Sequence, residues 1–260
     1  MKKLSISIFL IFNFTFLISL NAQWSTNPTV NNAISTAAGD QYYPTIVSDG
    51  SGGAIITWHD SRSGNNDIYA QRINASGVVQ WTANGVAIST AADNQINPTI
   101  VSDGSGGAII TWLDRRSGTD YDTYAQRINA SGLVQWTTNG VATCTAAGDQ
   151  NWPTIVSDGS GGAIITWHDF RSGINLDIYA QRINASGAVQ WIADGVAISI
   201  AADGQSDPTI ASDSSGGAII TWHDYRSGIS NDIYAINPDS FSNLVFISIP
   251  SSFRFAITEQ

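Results

Sequence analysis

The sequence predicts an all-β fold, a β-propeller of four four-stranded blades, and three observations predict it. A unit recurs four times: Pro44, Pro98, Pro153 and Pro208 step by 54, 55 and 55 residues, and Trp58, Trp112, Trp167 and Trp222 step identically. Each unit divides into short strand-like runs punctuated by Gly and Ser, with no helical periodicity. The run "GAIITWHD" is apolar at the consecutive positions Ala54, Ile55 and Ile56, so both faces of its sheet need cover. A sheet with one wet face alternates instead. Four-stranded units that bury both faces against like units, at a period near this one, describe propeller blades. A β-solenoid fits less well, because its rungs are much shorter.

Taken in chain order, residues 1–22 read as a signal peptide. Met1-Lys2-Lys3 precedes an apolar run from Leu4 to Leu20, short for a membrane span, and Ala22 offers a small residue for cleavage. The repeat domain is expected over 23–235, with units starting near 42, 96, 151 and 206. Within the first unit the expected strands are Pro44 to Asp49, Gly53 to Asp60, Asp67 to Ala75, and a long fourth from Val78 to Ser89. Residues 23–41 form an orphan outer strand: Gln23-Trp24 and Ile34-Ser35-Thr36 match Gln80-Trp81 and Ile88-Ser89-Thr90. Pairing of this strand with residues near Asp232 to Ala235 would close the ring and hide two sheet edges. The alternative is an incomplete ring. Residues 236–260 match no repeat and form a divergent tail.

The pattern Ser-Asp-Gly, an apolar strand ending in an aromatic, Asp-x-Arg-x-Gly, then Asp-Ile-Tyr runs through "SDGSGGAIITWHDSRSGNNDIYA" and its copies. It resembles the WD40-like repeat of TolB-type β-propellers across residues 44 to 235, in units longer than the TolB pattern. The whole chain, with Asn21-Ala22-Gln23 ending its leader, resembles secreted repeat proteins of Bacteroidota. The resemblance implies a propeller used as an interaction platform. The sialidase-type Asp box does not fit, because Asp49 and Trp58 lie nine residues apart.

Charge narrows the partners. Without Lys2 and Lys3 the chain holds nine Arg against 21 acids, a net charge of −12, and Glu259 is its one glutamate. An acidic exported protein is repelled by nucleic acid and by anionic membranes, so neither partner is expected. A protein or glycan ligand is expected, with no cofactor and no metal. Cys144 stands where the other units have Ser35, Ser89 and Ser199, which reads as packing tolerance rather than chemistry.

The stretch "SDGSGG" reads as a hairpin turn, its Asp and Ser capping backbone N–H groups. Asn74, Asn129 and Asn184, although they match a glycosylation sequon, read as turn residues. The opposite rim carries "WHDSRSGNND" and its copies. Here Asp60, Arg62 and Asp67 recur as Arg116 and Asp122, Arg171 and Asp177, and Arg226 and Asp232. One reading is a latch, in which Arg62 forks across both carboxylates; the other is a polar ring offered to a ligand. His59, His168 and His223 occupy equivalent sites, with Leu113 in the second unit, so symmetry spaces them apart. The units differ most just before the repeated prolines, which makes Tyr43 and Trp152 candidate aromatic contacts, or else packing residues between blades. Near-identical repeats supply like groups in like environments, whereas catalysis needs unlike ones. The expected function is therefore an exported, non-catalytic binding platform. The alternative is a carbohydrate-active enzyme, hydrolase or lyase, for which Arg115, Asp120 and Asp122 break the symmetry of the second unit.

Overall fold

A computed structural model describes residues 24, 25 and 27–238; the expected leader and residues 239–260 of the tail lie outside the described residues. Four antiparallel sheets follow one another along the chain. The first comprises β1 (Gln41–Ser48), β2 (Ala54–Asp60), β3 (Asp67–Ile73) and β4 (Val86–Ser89). The second comprises β5 (Gln95–Ser102), β6 (Ala108–Asp114), β7 (Asp122–Ile128) and β8 (Val141–Cys144). The third comprises β9 (Gln150–Ser157), β10 (Ala163–Asp169), β11 (Asp177–Ile183) and β12 (Val196–Ser199). The fourth has three strands, β13 (Gln205–Ser212), β14 (Ala218–Asp224) and β15 (Asp232–Ile236). The strand order in each sheet follows the chain, as in propeller blades.

The blades pack face to face. Ile55, Ile68, Ala70 and Ile88 from the rear of blade one meet Ala108, Ile110, Trp112 and Ile128 on the front of blade two. Ile109 of blade two packs with Ile165, Trp167 and Ile183 of blade three, and Ile178 of blade three with Ile220 and Trp222 of blade four. Ile109 and Ile110 of β6 are thus divided between two interfaces, which is why that strand does not alternate. On the inner strands, three hydroxyls stitch neighbouring blades: Thr45 Oγ1 donates to the Pro98 carbonyl, Thr99 to Pro153 and Thr154 to Pro208, at 3.2, 3.3 and 3.4 Å.

Two expectations need correction. The fourth strand is shorter than Val78 to Ser89: only Val86–Ser89 forms a strand, with an isolated bridge from Val79 to Ile73. The buried Gln71 side chain interrupts the ladder, because its Oε1 accepts the Trp81 N–H and its Nε2 donates to the Thr82 carbonyl. The other correction concerns closure. The orphan segment lies against blade one, where Trp24 Nε1 donates to the Ala75 carbonyl and the Thr36 N–H to Asn84 Oδ1. No described strand pairs with the outer edge of β15, and Thr209 lacks the inner stitch that its three counterparts make. Among the described residues the ring is an incomplete one.

Candidate functional site

Two rims result. On one, the "SDGSGG" turns are hairpins: Asp49 Oδ1 accepts the N–H groups of Ser51 and Gly53, both at 2.8 Å, and Arg72 Nε donates to Oδ2 at 2.9 Å. That ion pair, with those of Arg127–Asp103 and Arg182–Asp158, is a second latch that sequence reading missed. Its signal was the recurrence of Arg in "AQRIN" beside the invariant Asp of the turn. In the fourth unit Asn237 stands in the same place and bonds Asp213. Asn74 Oδ1 accepts the N–H groups of Ser76 and Val78, and Asn129 and Asn184 cap their turns likewise.

The opposite rim carries the Asp-x-Arg latch. Asp60 Oδ1 accepts Arg62 Nε at 2.8 Å, its Oδ2 accepts Trp58 Nε1 at 2.8 Å, and the guanidinium lies 3.8 Å from the centre of the Tyr69 ring. Arg62 also donates to the Asn84 carbonyl at the foot of the fourth strand. The guanidinium holds the Asp60 carboxyl below the usual carboxylate range despite its burial. Arg116, Arg171 and Arg226 repeat the fork on Asp114, Asp169 and Asp224. The expectation that Arg62 spans two carboxylates is corrected: Asp67 instead accepts the Ser63 hydroxyl at 2.6 Å. Burial pushes the carboxyls of Asp67 and Asp177 upward, while Asp232 lies exposed at the start of β15. Burial, with the charges of Asp120 and Asp114, pushes Asp122 up to about 6.

Inside the latches, at the ring axis, lies a cavity of about 350 Å³. Each inner strand shifts register just before its proline, and the bulge residue takes the left-handed conformation: Tyr43 at φ 51°, Asn97 at 53°, Trp152 at 52° and Asp207 at 52°. Four copies of one backbone thus present four different side chains to one cavity, whose wall continues in the prolines and threonines that follow them. Asn and Asp tolerate positive φ, but Tyr and Trp there cost roughly 1–2 kcal/mol each. Tyr43 is 64% and Trp152 58% exposed, so most of each side chain stays open at the cavity.

The histidines surround the same mouth. The Tyr43 and His59 rings lie 5.2 Å apart, and His59 Nδ1 accepts the Asn97 N–H at 3.4 Å. Asp207 Oδ2 is 3.4 Å from His223 Nδ1, and its charge also reaches His168 across the blade boundary. His168 is buried, its Nδ1 has no hydrogen-bond partner among the described residues, and desolvation lowers its pKa. Asp207 therefore stands between a buried neutral imidazole and an exposed one. Leu113 removes the corresponding imidazole beside Trp152.

No protein-family model matches the chain, and no curated protein does. Among solved structures it is similar to an endo-arabinase from Bacteroides thetaiotaomicron, at 16% identity over 79% of this chain and 78% of that one, with a TM-score of 0.46. A TolB-type protein from Agrobacterium tumefaciens is 15% identical over 79% of this chain and 65% of that one, with a TM-score of 0.45. A protein of unknown function from Dyadobacter fermentans is 10% identical over 78% and 67%, with a TM-score of 0.50. The fold is a β-propeller. At these identities the likeness concerns the propeller fold alone.

The expectation of a non-catalytic platform does not stand. Solved propellers of this fold include glycoside hydrolases, arabinanases and arabinofuranosidases among them, so the fold does not carry that expectation. Its premise also fails in the geometry, because the propeller repeats its backbone and not its axial side chains. Equivalent positions supply a phenol, an amide, an indole and a carboxylate to one cavity, and the equivalent histidines differ in burial and in partners.

Proposed function

We propose that this propeller is a carbohydrate-active enzyme that binds and cleaves a short glycan in its axial cavity. The observation that carries the reading is the convergence of Tyr43, Asn97, Trp152 and Asp207 on one cavity about 350 Å³ in volume. Exposed aromatic faces suit the C–H faces of sugar rings, and Asn97 supplies both a donor and an acceptor for sugar hydroxyls. Glycosidic cleavage needs one group to protonate the leaving oxygen and another to take a proton from the nucleophile or substrate. Asp207 is the carboxylate among the described lining residues, and the His223 imidazole stands beside it. Asp207 is assigned the acid–base role, with His223, whose Nδ1 lies 3.4 Å from its Oδ2, as its proton partner. The latch residues Asp60, Arg62 and their copies hold the rim in shape. The leader at 1–22 supports export, and the Asp-x-Arg-x-Gly repeat supports a TolB-like ancestry for the blades.

The test is turnover of a panel of plant and bacterial polysaccharides, scored by new reducing ends and by the absorbance of unsaturated uronates. Asp207→Asn is expected to lower kcat by about 10²–10⁴ with the melting temperature unchanged. Trp152→Ala is expected to raise KM more than it lowers kcat. Absence of turnover on every glycan, or full activity in Asp207→Asn, overturns the proposal.

A further inference from the structure

The two ends of the blade series expose the two halves of one interface. On the rear of blade four, Ile219 and Ile233 are 48% and 68% exposed. Their counterparts Ile55 and Ile68 in blade one, Ile109 in blade two, and Ile164 and Ile178 in blade three are all fully buried. On the front of blade one, Ile46 is 67% exposed, whereas Ile100, Ile155 and Ile210 each pack on the blade before. Beside Ile46 lies a cavity of about 210 Å³ lined by Ile34, Ser35, Gln41, Pro44, Ile56 and Trp58. Knobs stand at one end and a hole at the other, and the open ring keeps them apart.

The backbone shows the same division. Trp24 and Thr36 make the contacts onto blade one that Trp81 and Thr90 make onto blade two, and Trp136 and Thr145 onto blade three. Arg62 reaches Ser35 as Arg226 reaches Ser199. Residues 24, 25 and 27–36 therefore occupy the place of a preceding blade's fourth strand, with no third strand of that blade beside them among the described residues. At the other end, β15 is a third strand with no described fourth. Arg226 lacks the fourth-strand carbonyl that Arg62, Arg116 and Arg171 each bond, and its side chain is 36% exposed against 21–23% for those three.

We propose that copies of this chain associate head to tail. The rear of blade four in one copy seats on the front of blade one in the next, and residues 32–35 of that next copy pair with β15. The register follows from the internal blades, where Ile68, Tyr69 and Ala70 face Ser89, Ala87 and Val86. Transferred to the junction, Ile233 faces Ser35, Tyr234 faces Ala33 and Ala235 faces Asn32. Ile219 and Ile233 then fill the hole beside Trp58. The second copy is the occupant because the surface complementary to each face is the other end of this same chain. Such a contact is heterologous, and it propagates into a closed ring or an open array according to the rotation it imposes.

The experiment is sedimentation velocity on the chain from Gln23 onward. The tail-face variant Ile219→Asp/Ile233→Asp and the head-face variant Ile34→Asp/Ile46→Asp change residues that are exposed or half-buried, so both are expected to fold. The wild-type chain is expected to form oligomers, and each variant alone to stay monomeric. An equimolar mixture of the two is expected to double in mass and stop there, since it pairs one intact tail face with one intact head face. A wild-type chain that stays monomeric up to about 100 μM overturns the proposal. So do oligomers indifferent to the substitutions, and a mixture that stays monomeric. A monomeric wild-type chain that associates only after deletion of residues 239–260 would assign the β15 edge to its own tail.

Discussion

At the scale of single residues, the repeated acids divide into three environments. Those that end the second strands are buried against a guanidinium and an indole N–H, which hold Asp60 and Asp224 below the usual carboxylate range. Those in the "SDGSGG" turns are held by two backbone N–H groups and a second Arg or Asn. Of those that begin the third strands, Asp67, Asp122 and Asp177 are buried without a cation of their own, and Asp122 is the extreme case. Its folded-state pKa of about 6 stands above the ordinary value of 3.8, so the folded chain binds this proton more tightly than the unfolded chain does. The stability it contributes is complete below 3.8 and is lost as pH rises through about 6. Asp122→Asn is expected to flatten the stability profile across that window by up to about 3 kcal/mol, measured by urea unfolding at successive pH values. An unchanged profile would mean that the carboxyl is solvated. Cys144 is inert for a related reason: burial pushes its thiol up to about 12, while its sulfur accepts a hydrogen bond from Arg171 where Ser199 serves Arg226.

At the scale of elements, each of the first three blades depends on a short fourth strand that backbone pairing alone does not hold. Gln71 and its counterparts Gln126 and Gln181, fully buried, replace the missing ladder bonds. The turn before that strand is equally constrained. Gly140 sits at φ 85°, and a Cβ there would lie 2.5 Å from Trp112 Cη2 and 2.8 Å from the Ala125 carbonyl oxygen. Gly140→Ala meets both a backbone that disfavours a side chain and a fully buried indole. The expected cost is about 3 kcal/mol or more, read as a fall in the urea midpoint. A neutral result would show that the turn moves away from the Trp112 ring. The shortness of the fourth strand was legible only in part in "VVQWTANGVAIS", where Asn84-Gly85 marks a turn and both residues take positive φ. The intruding amide came from another strand.

At the scale of the molecule, stability follows how much of each blade is covered. Blades two and three are covered on both faces, and their second strands are buried at every position. Blade four is covered on one face, and four of the five residues of β15 are exposed. Amide exchange is therefore expected to be slowest in β6 and β10 and fastest in β15, because local opening is cheapest where few apolar contacts must break. Under conditions that favour association, protection is expected to rise in β15 and in residues 32–35 together. Uniform exchange across the four blades would instead indicate a single cooperative unit.

The sequence by itself determined the repeat, the four blades, the two-sided burial of the second strands and the turn role of "SDGSGG". These follow from local periodicity and from residues whose conformational needs are intrinsic. It also marked the positions before the prolines as those where the units differ. Only the tertiary structure decided that Tyr43, Asn97, Trp152 and Asp207 face one cavity, because the bulge that turns them inward belongs to the curvature of the ring. It alone divided equivalent histidines into buried and exposed, and it left the ring open. Near-identical units differ in environment only through their neighbours, and a neighbour is a fact of packing that no single repeat contains.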